Sequence, residues 1–163
     1  MKSKTILCLT CFAILTFGAT SIFAQPPADQ GNHAMDHSQI QTTIAINNAA
    51  VAAGDMEGIL ATYEPNAVLM GQTGMPAAGT AALREAFKQF LFLNPKITIV
   101  SQDLIQAGAI ALHTYTWKMS GIAPDGNPVE QSGFSVVVLR KQADGRWLMV
   151  IDNPFGDSIL KKG

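Results

Sequence analysis

Apolar residues recur at helical spacing in the first part of this chain and alternate along strands in the rest. Ile40, Ile44 and Val51, set among alanines, predict a helix capped by Ser38 and stopped at Gly54. Asp55 can cap a second, short helix that turns Ile59, Leu60 and Tyr63 inward before Pro65 ends it. "NAVLMG" reads as a short strand and "QTGMPAAG" as a loop punctuated by Gly and Pro. Thr80 can cap a third helix over 81–92, with Leu83, Phe87, Phe90 and Leu91 on one side and Asn94-Pro95 closing it. The period then changes. Strands are expected at 96–106, 109–120, 129–141 and 146–153, joined by "QAGA", "APDGNP" and "QADGRW". Helices followed by an antiparallel meander make an α+β fold.

Two of these strands are apolar on both faces. In "FSVVVL", Phe134, Val136 and Val138 point one way and Val137 and Leu139 the other. A sheet with one wet face alternates apolar and polar residues, and helices can cover only one side. Either a second subunit covers the other, giving a sheet-mediated homodimer, or Val and Ile merely reflect β-propensity. The last strand, "WLMVIDN", ends in an acid. Strict alternation puts Leu148, Val150 and Asp152 on one face and Trp147, Met149 and Ile151 on the other.

Composition adds a compartment. Lys2 and Lys4 precede the apolar run "ILCLTCFAILTFG", which is short for a membrane span, and "SIFA" offers cleavage after Ala24. Residues 1–24 therefore read as a signal peptide, and the protein as exported, periplasmic or secreted, with no stable membrane anchor once the signal is removed. Cys8 and Cys11 lie within that segment and leave with it. Losing 24 of 163 residues leaves about 139, enough for one domain with a core of its own. The formal charge of the whole chain is −1, and no basic run or basic-aromatic patch suggests a nucleic-acid partner. Residues 25–37, rich in Pro, Gly, Gln and Asp, are expected to be a flexible leader, the domain to run over 38–157, and 158–163 to be a tail. His33, Asp36 and His37 have a ligand spacing if helical, but a flexible leader would not pre-organise them, so no metal site is expected.

Three segments carry a family likeness. "AGDMEGILATYEPNAVLM", "GTAALREAFKQF" and "GFSVVVLRKQADGRWLMVIDN", in this order, resemble the nuclear transport factor 2-like superfamily, in particular its SnoaL-like and ketosteroid-isomerase-like bacterial members. The likeness covers roughly residues 38–155. It implies a strongly bent antiparallel sheet wrapped as a cone around about three helices, an apolar pocket inside and dimerisation through the sheet. It also implies where steroid-isomerase groups would stand: a base at Gly71, a tyrosine near Asn47 and an aspartate within "FSVVVL". None of the three is present. Steroid isomerisation by that mechanism is not expected.

What remains is a short set of candidates. Asp152 is either an acid near the pocket, with a raised pKa and able to act as base or donor, or a rim carboxylate paired with backbone or Arg. His113, Tyr115 and Trp117 alternate on one strand face with Met119, as a pocket wall or as packing. Tyr63 could send its hydroxyl into the cavity, Gln131 could add a polar contact, and Met70 and Met75 stand in or beside the loop expected to rim the pocket. The favoured reading is an exported dimer binding a small apolar molecule without a cofactor. The alternatives are an isomerase, cyclase or hydratase using Asp152 with His113 or Tyr63, and a dimerisation module with a vestigial pocket.

Overall fold

The computed structural model describes residues 28–161; the segment read as a signal peptide lies outside them. Three helices, α1 (Ala28–Ala53), α2 (Met56–Leu60) and α3 (Gly79–Leu91), pack on one face of a six-stranded sheet. Its strands are β1 (Tyr63–Met70), β2 (Pro76–Ala78), β3 (Lys96–Ala107), β4 (Ile110–Ile122), β5 (Pro128–Lys141) and β6 (Trp147–Asn153), in the order β2-β1-β6-β5-β4-β3. All pairings are antiparallel except β1 with β6. This is the expected α+β architecture, a curved open sheet with its helices on the concave side.

Local chemistry explains most boundaries. Gly54 ends α1 at φ +68°, and the Asp55 carboxylate caps α2 by accepting from Gly58 N at 3.0 Å. In both Asp-Gly hairpins the glycine alone takes positive φ, at Gly126 and Gly145. Asp125 and Asp144 instead accept from the backbone two residues on. α3 starts from Ala78 without a side-chain cap, and the Thr80 hydroxyl bonds Pro65 O at 3.3 Å. Part of the expected "QTGMPAAG" loop is strand β2, paired to β1 through Val68, Leu69 and Met70. Tyr63 opens β1 rather than closing α2.

The N-terminal segment departs most from expectation. The chain is helical from Ala28, so residues 28–37 are not an irregular leader. Counting back from Ile44 and Ile40 by fours reaches Asp36, which lies on the same buried stripe. Its carboxylate takes Lys141 Nζ at 2.6 Å, Gln106 Nε2 at 2.9 Å and Trp147 Nε1 at 3.3 Å. These bonds fasten the first turns of α1 to the ends of β3, β5 and β6. Thr43 Oγ1 adds a bond to Trp147 O at 2.8 Å. At the other terminus, Gly156–Lys161 forms a 3-10 turn where a tail had been expected.

Breaks in strand register reset which way side chains point. β6 pairs Met149 with Leu139 but Ile151 with Val138, so Val150 is an extra residue. The core face of β6 is therefore Trp147, Met149 and Asp152, while Ile151 turns outward at 44% exposure. This corrects the strict alternation, which groups Asp152 with Leu148 and Val150. On β1 the register against β6 also shifts, between Tyr63 and Val68.

Close packing fixes Gly133 among several glycines. A Cβ on Gly133 would lie 2.7 Å from the Trp117 ring and 3.1 Å from Pro154 O, the carbonyl that accepts from Trp117 Nε1 at 2.9 Å. Gly133→Ala should destabilise the fold by about 1–3 kcal/mol, read as a lower denaturation midpoint with unchanged slope.

Candidate functional site

The bulge at Val150 carries Asp152 into the concave face, and the register shift in β1 lets Tyr63 reach it across the parallel pair. Tyr63 Oη donates to Asp152 Oδ2 at 2.6 Å, and both residues are buried. Oδ1 has no hydrogen-bond partner among the described residues and is buried. The carboxyl pKa is pushed up to about 6: burial disfavours the charge, and the Tyr63 hydrogen bond offsets only part of that effect. The Tyr63 phenol is driven well above its ordinary range, first by burial and then by the adjacent carboxylate. Tyr115 is raised as well, by burial and then by Asp152, with the neighbouring Ser135 hydroxyl pulling the other way.

The rest of the cluster comes from β4 and β5. Tyr115 packs against His113, ring centroids 4.9 Å apart, and pairs across the strands with Ser135. His113 is 3% exposed; its Nε2 meets Gln102 Oε1 at 3.0 Å, and burial lowers its pKa, keeping the ring neutral. His113 Nδ1 and Ser135 Oγ, like Asp152 Oδ1, find no partner with hydrogen-bond geometry among the described residues. Phe87 lies 5.7 Å from the Tyr63 ring, and Phe90, Leu91, Ile99 and Leu104, partly buried, pack against the same core.

The candidates therefore divide. Asp152, Tyr63, Tyr115 and His113 stand on one concave face, although His113 bonds Gln102 and not Asp152. Trp117 shares that strand face but is held by Pro154 O and an edge contact to Phe155. Gln131 lines a separate surface cleft of about 590 Å³ with Lys96, Lys118 and Glu130. Met70 neighbours Leu69 on β1 and so points to the opposite face, and Met75 stands at the hairpin tip, 72% exposed. The expected open hollow is closed around Asp152, and a second cleft of about 360 Å³ lies between α1 and the β5–β6 turn. Ser135 was legible as the position two before Val137 on its face; Gln102 was not, because Val100 bulges out of β3.

Removing the phenol should expose its effect on the acid. Tyr63→Phe should raise the Asp152 pKa above about 6, since the lost bond favoured the ionised form. A carboxyl-carbon NMR titration measures this directly.

The sequence profile of the SnoaL-like domain matches residues 45–149, more than half of the chain. The chain belongs to the SnoaL-like family. Among solved structures, this SnoaL-like protein is similar to a ketosteroid isomerase-like protein from Erwinia carotovora atroseptica, at 21% identity and TM-score 0.63, covering 71% of this chain and 92% of that one. It is also similar to a nuclear transport factor 2-like protein with a cystatin-like fold from Novosphingobium aromaticivorans, at 15% identity and TM-score 0.68, covering 83% and 90%. A protein of unknown function with a cystatin-like fold from Nostoc punctiforme matches at 22% identity and TM-score 0.63, covering 74% and 90%. At these identities the likeness is one of fold. No curated protein matches the chain. Within the SnoaL-like frame, Asn47 donates to Thr62 Oγ1 at 2.9 Å, and Gly71 closes a turn with Met75 O. Neither brings a phenol or a carboxylate to the isomerase positions.

Proposed function

We propose that this SnoaL-like protein is an exported, dimeric binder of a small, largely apolar molecule, with Asp152 and Tyr63 as the polar anchor of its site. One observation carries the reading: a buried carboxylate whose single partner among the described residues is a neutral phenol, with its second oxygen unmet there. Folding gains nothing from such a group, and a guest that bonds it would recover the loss. Phe90, Leu91, Ile99 and Leu104 are only partly buried against the core, and a guest would reach Asp152 by displacing them. Export is supported by Lys2, Lys4, the short apolar run and Ala24. Dimerisation is supported by the outward face of the sheet, where Ile105, Ile110, Phe134 and Ile151 are 36–60% exposed.

A second reading is favoured by the same acid. A buried carboxyl with its pKa pushed up to about 6, on the same face as a neutral imidazole one strand away, suits proton transfer, so an isomerase, cyclase or hydratase using Asp152 with Tyr63 or His113 is the competing function. A native mass spectrum of the exported protein tests the first reading. The expected result is a dimer carrying a small molecule that is lost in Asp152→Asn; a ligand-free monomer would sink it.

A further inference from the structure

Resting on the small-molecule reading above, we infer that the guest is an alcohol, an apolar body whose hydroxyl bridges Ser135 and Asp152. Ser135, His113 and Asp152 are each more than nine-tenths buried, and each has one polar atom that meets no partner in hydrogen-bond geometry among the described residues, the Ser135 hydroxyl having only the Tyr115 phenol near it. The register places them together. Val137 pairs with His113 on one side and with Asp152 on the other, and Ser135 stands two residues before Val137 on the same face. Ser135 is thus a diagonal neighbour of both, roughly 7–8 Å away across the sheet. A single oxygen can span the gap between a serine hydroxyl and a carboxylate so placed.

Hydrogen-bond bookkeeping selects the group. An ionised carboxylate only accepts, so the atom that meets Oδ1 must donate. The Ser135 hydroxyl needs an acceptor, and only an atom that does both satisfies the pair. An alcohol oxygen donates its proton to Oδ1 and accepts the proton of Ser135. A ketone cannot donate, an ammonium cannot accept, and a carboxylate is repelled by Asp152. With Gln102 Oε1 accepting the Nε2 proton, His113 Nδ1 is a further acceptor, placed to receive a second hydroxyl on the same guest.

The chain has two tyrosines, Tyr63 and Tyr115, and both stand at this site, so tyrosine ring signals report on it alone. The full chain, labelled in its tyrosine rings, is titrated by NMR at pH 8 with cyclohexanol, cyclohexanone, cyclohexylamine and cyclohexanecarboxylate. Cyclohexanol should shift the signals saturably and bind at least about tenfold more tightly than the other three. Ser135→Ala and Asp152→Asn should each weaken it by about five- to tenfold. At pH 5 a protonated Asp152 can donate, and the gap between alcohol and ketone should close. Equal binding of alcohol and ketone at pH 8, or a preference for the amine, overturns the alcohol assignment while leaving the small-molecule reading intact. If none of the four moves either tyrosine at tens of millimolar, both fall.

Discussion

Replacing Asp152 by asparagine should make the folded protein more stable at pH 8 and remove most of its pH dependence between about pH 4 and 6. In the unfolded chain this carboxyl ionises near its ordinary value of 3.8, whereas in the fold it keeps its proton to about pH 6. Across that window the folded state holds more protons, so stability falls as pH rises and then levels off above the folded value. Two units of difference correspond to about 3 kcal/mol for a group this buried. Asparagine avoids the charge and still offers Tyr63 an acceptor, but its amide N–H groups lack partners where Oδ1 now lies. The expected net gain at pH 8 is therefore about 1–3 kcal/mol. Denaturant unfolding of both proteins at pH 4.5, 6 and 8 measures it. Parallel profiles would show that Asp152 is not an ionised burden on the fold.

A residue that weakens its own fold is also hard to place from sequence. The fold class, the four long strands and the alternation of His113, Tyr115 and Trp117 follow from periodicity and turn chemistry, which are local. Asp152 was legible as an anomaly, an acid closing an apolar strand, but its orientation was not. A bulge is one extra residue in one strand, and nothing in "WLMVIDN" marks Val150 as that residue. Its consequence is large, because shifting by one exchanges the faces of everything beyond it. The Tyr63–Asp152 contact spans 89 residues and depends on irregular register in both strands, so no spacing rule reaches it. Asp36 failed for a different reason. Composition marked 25–37 as a flexible leader, while the four-residue period running back from Ile44 already pointed through Asp36. Its partners on β3, β5 and β6 become visible only once the sheet is assembled.

Those partners set the second large effect. Asp36→Ala should cost about 2–4 kcal/mol, since it strips charge-assisted bonds and leaves the buried Trp147 Nε1 and the Gln106 amide without that acceptor. Lys141 is 36% exposed at its side chain, so water can replace much of its share, and Lys141→Met should cost less. Hydrogen exchange locates the damage. Amides before Ile40 should lose protection while those of β4 and β5 keep theirs, because Asp36 fastens one end of α1 and not the sheet. Uniform loss of protection would mean that the helix end and the core unfold as one. The pH response separates this acid from Asp152. The Lys141 hydrogen bond, followed by those from Gln106 and Trp147, holds the Asp36 pKa below 3.8 against the opposing effect of burial. Its stabilisation is therefore present above that value and lost as pH falls through the folded pKa. Asp152 acts in the opposite sense on the other side of pH 4. Two buried acids, one supplied with donors and one nearly without, should give the protein its greatest stability in mild acid, and Asp36→Ala should shrink the acid-side fall, to which Glu57, Asp125 and Asp144 also contribute, while leaving the fall above pH 4 in place.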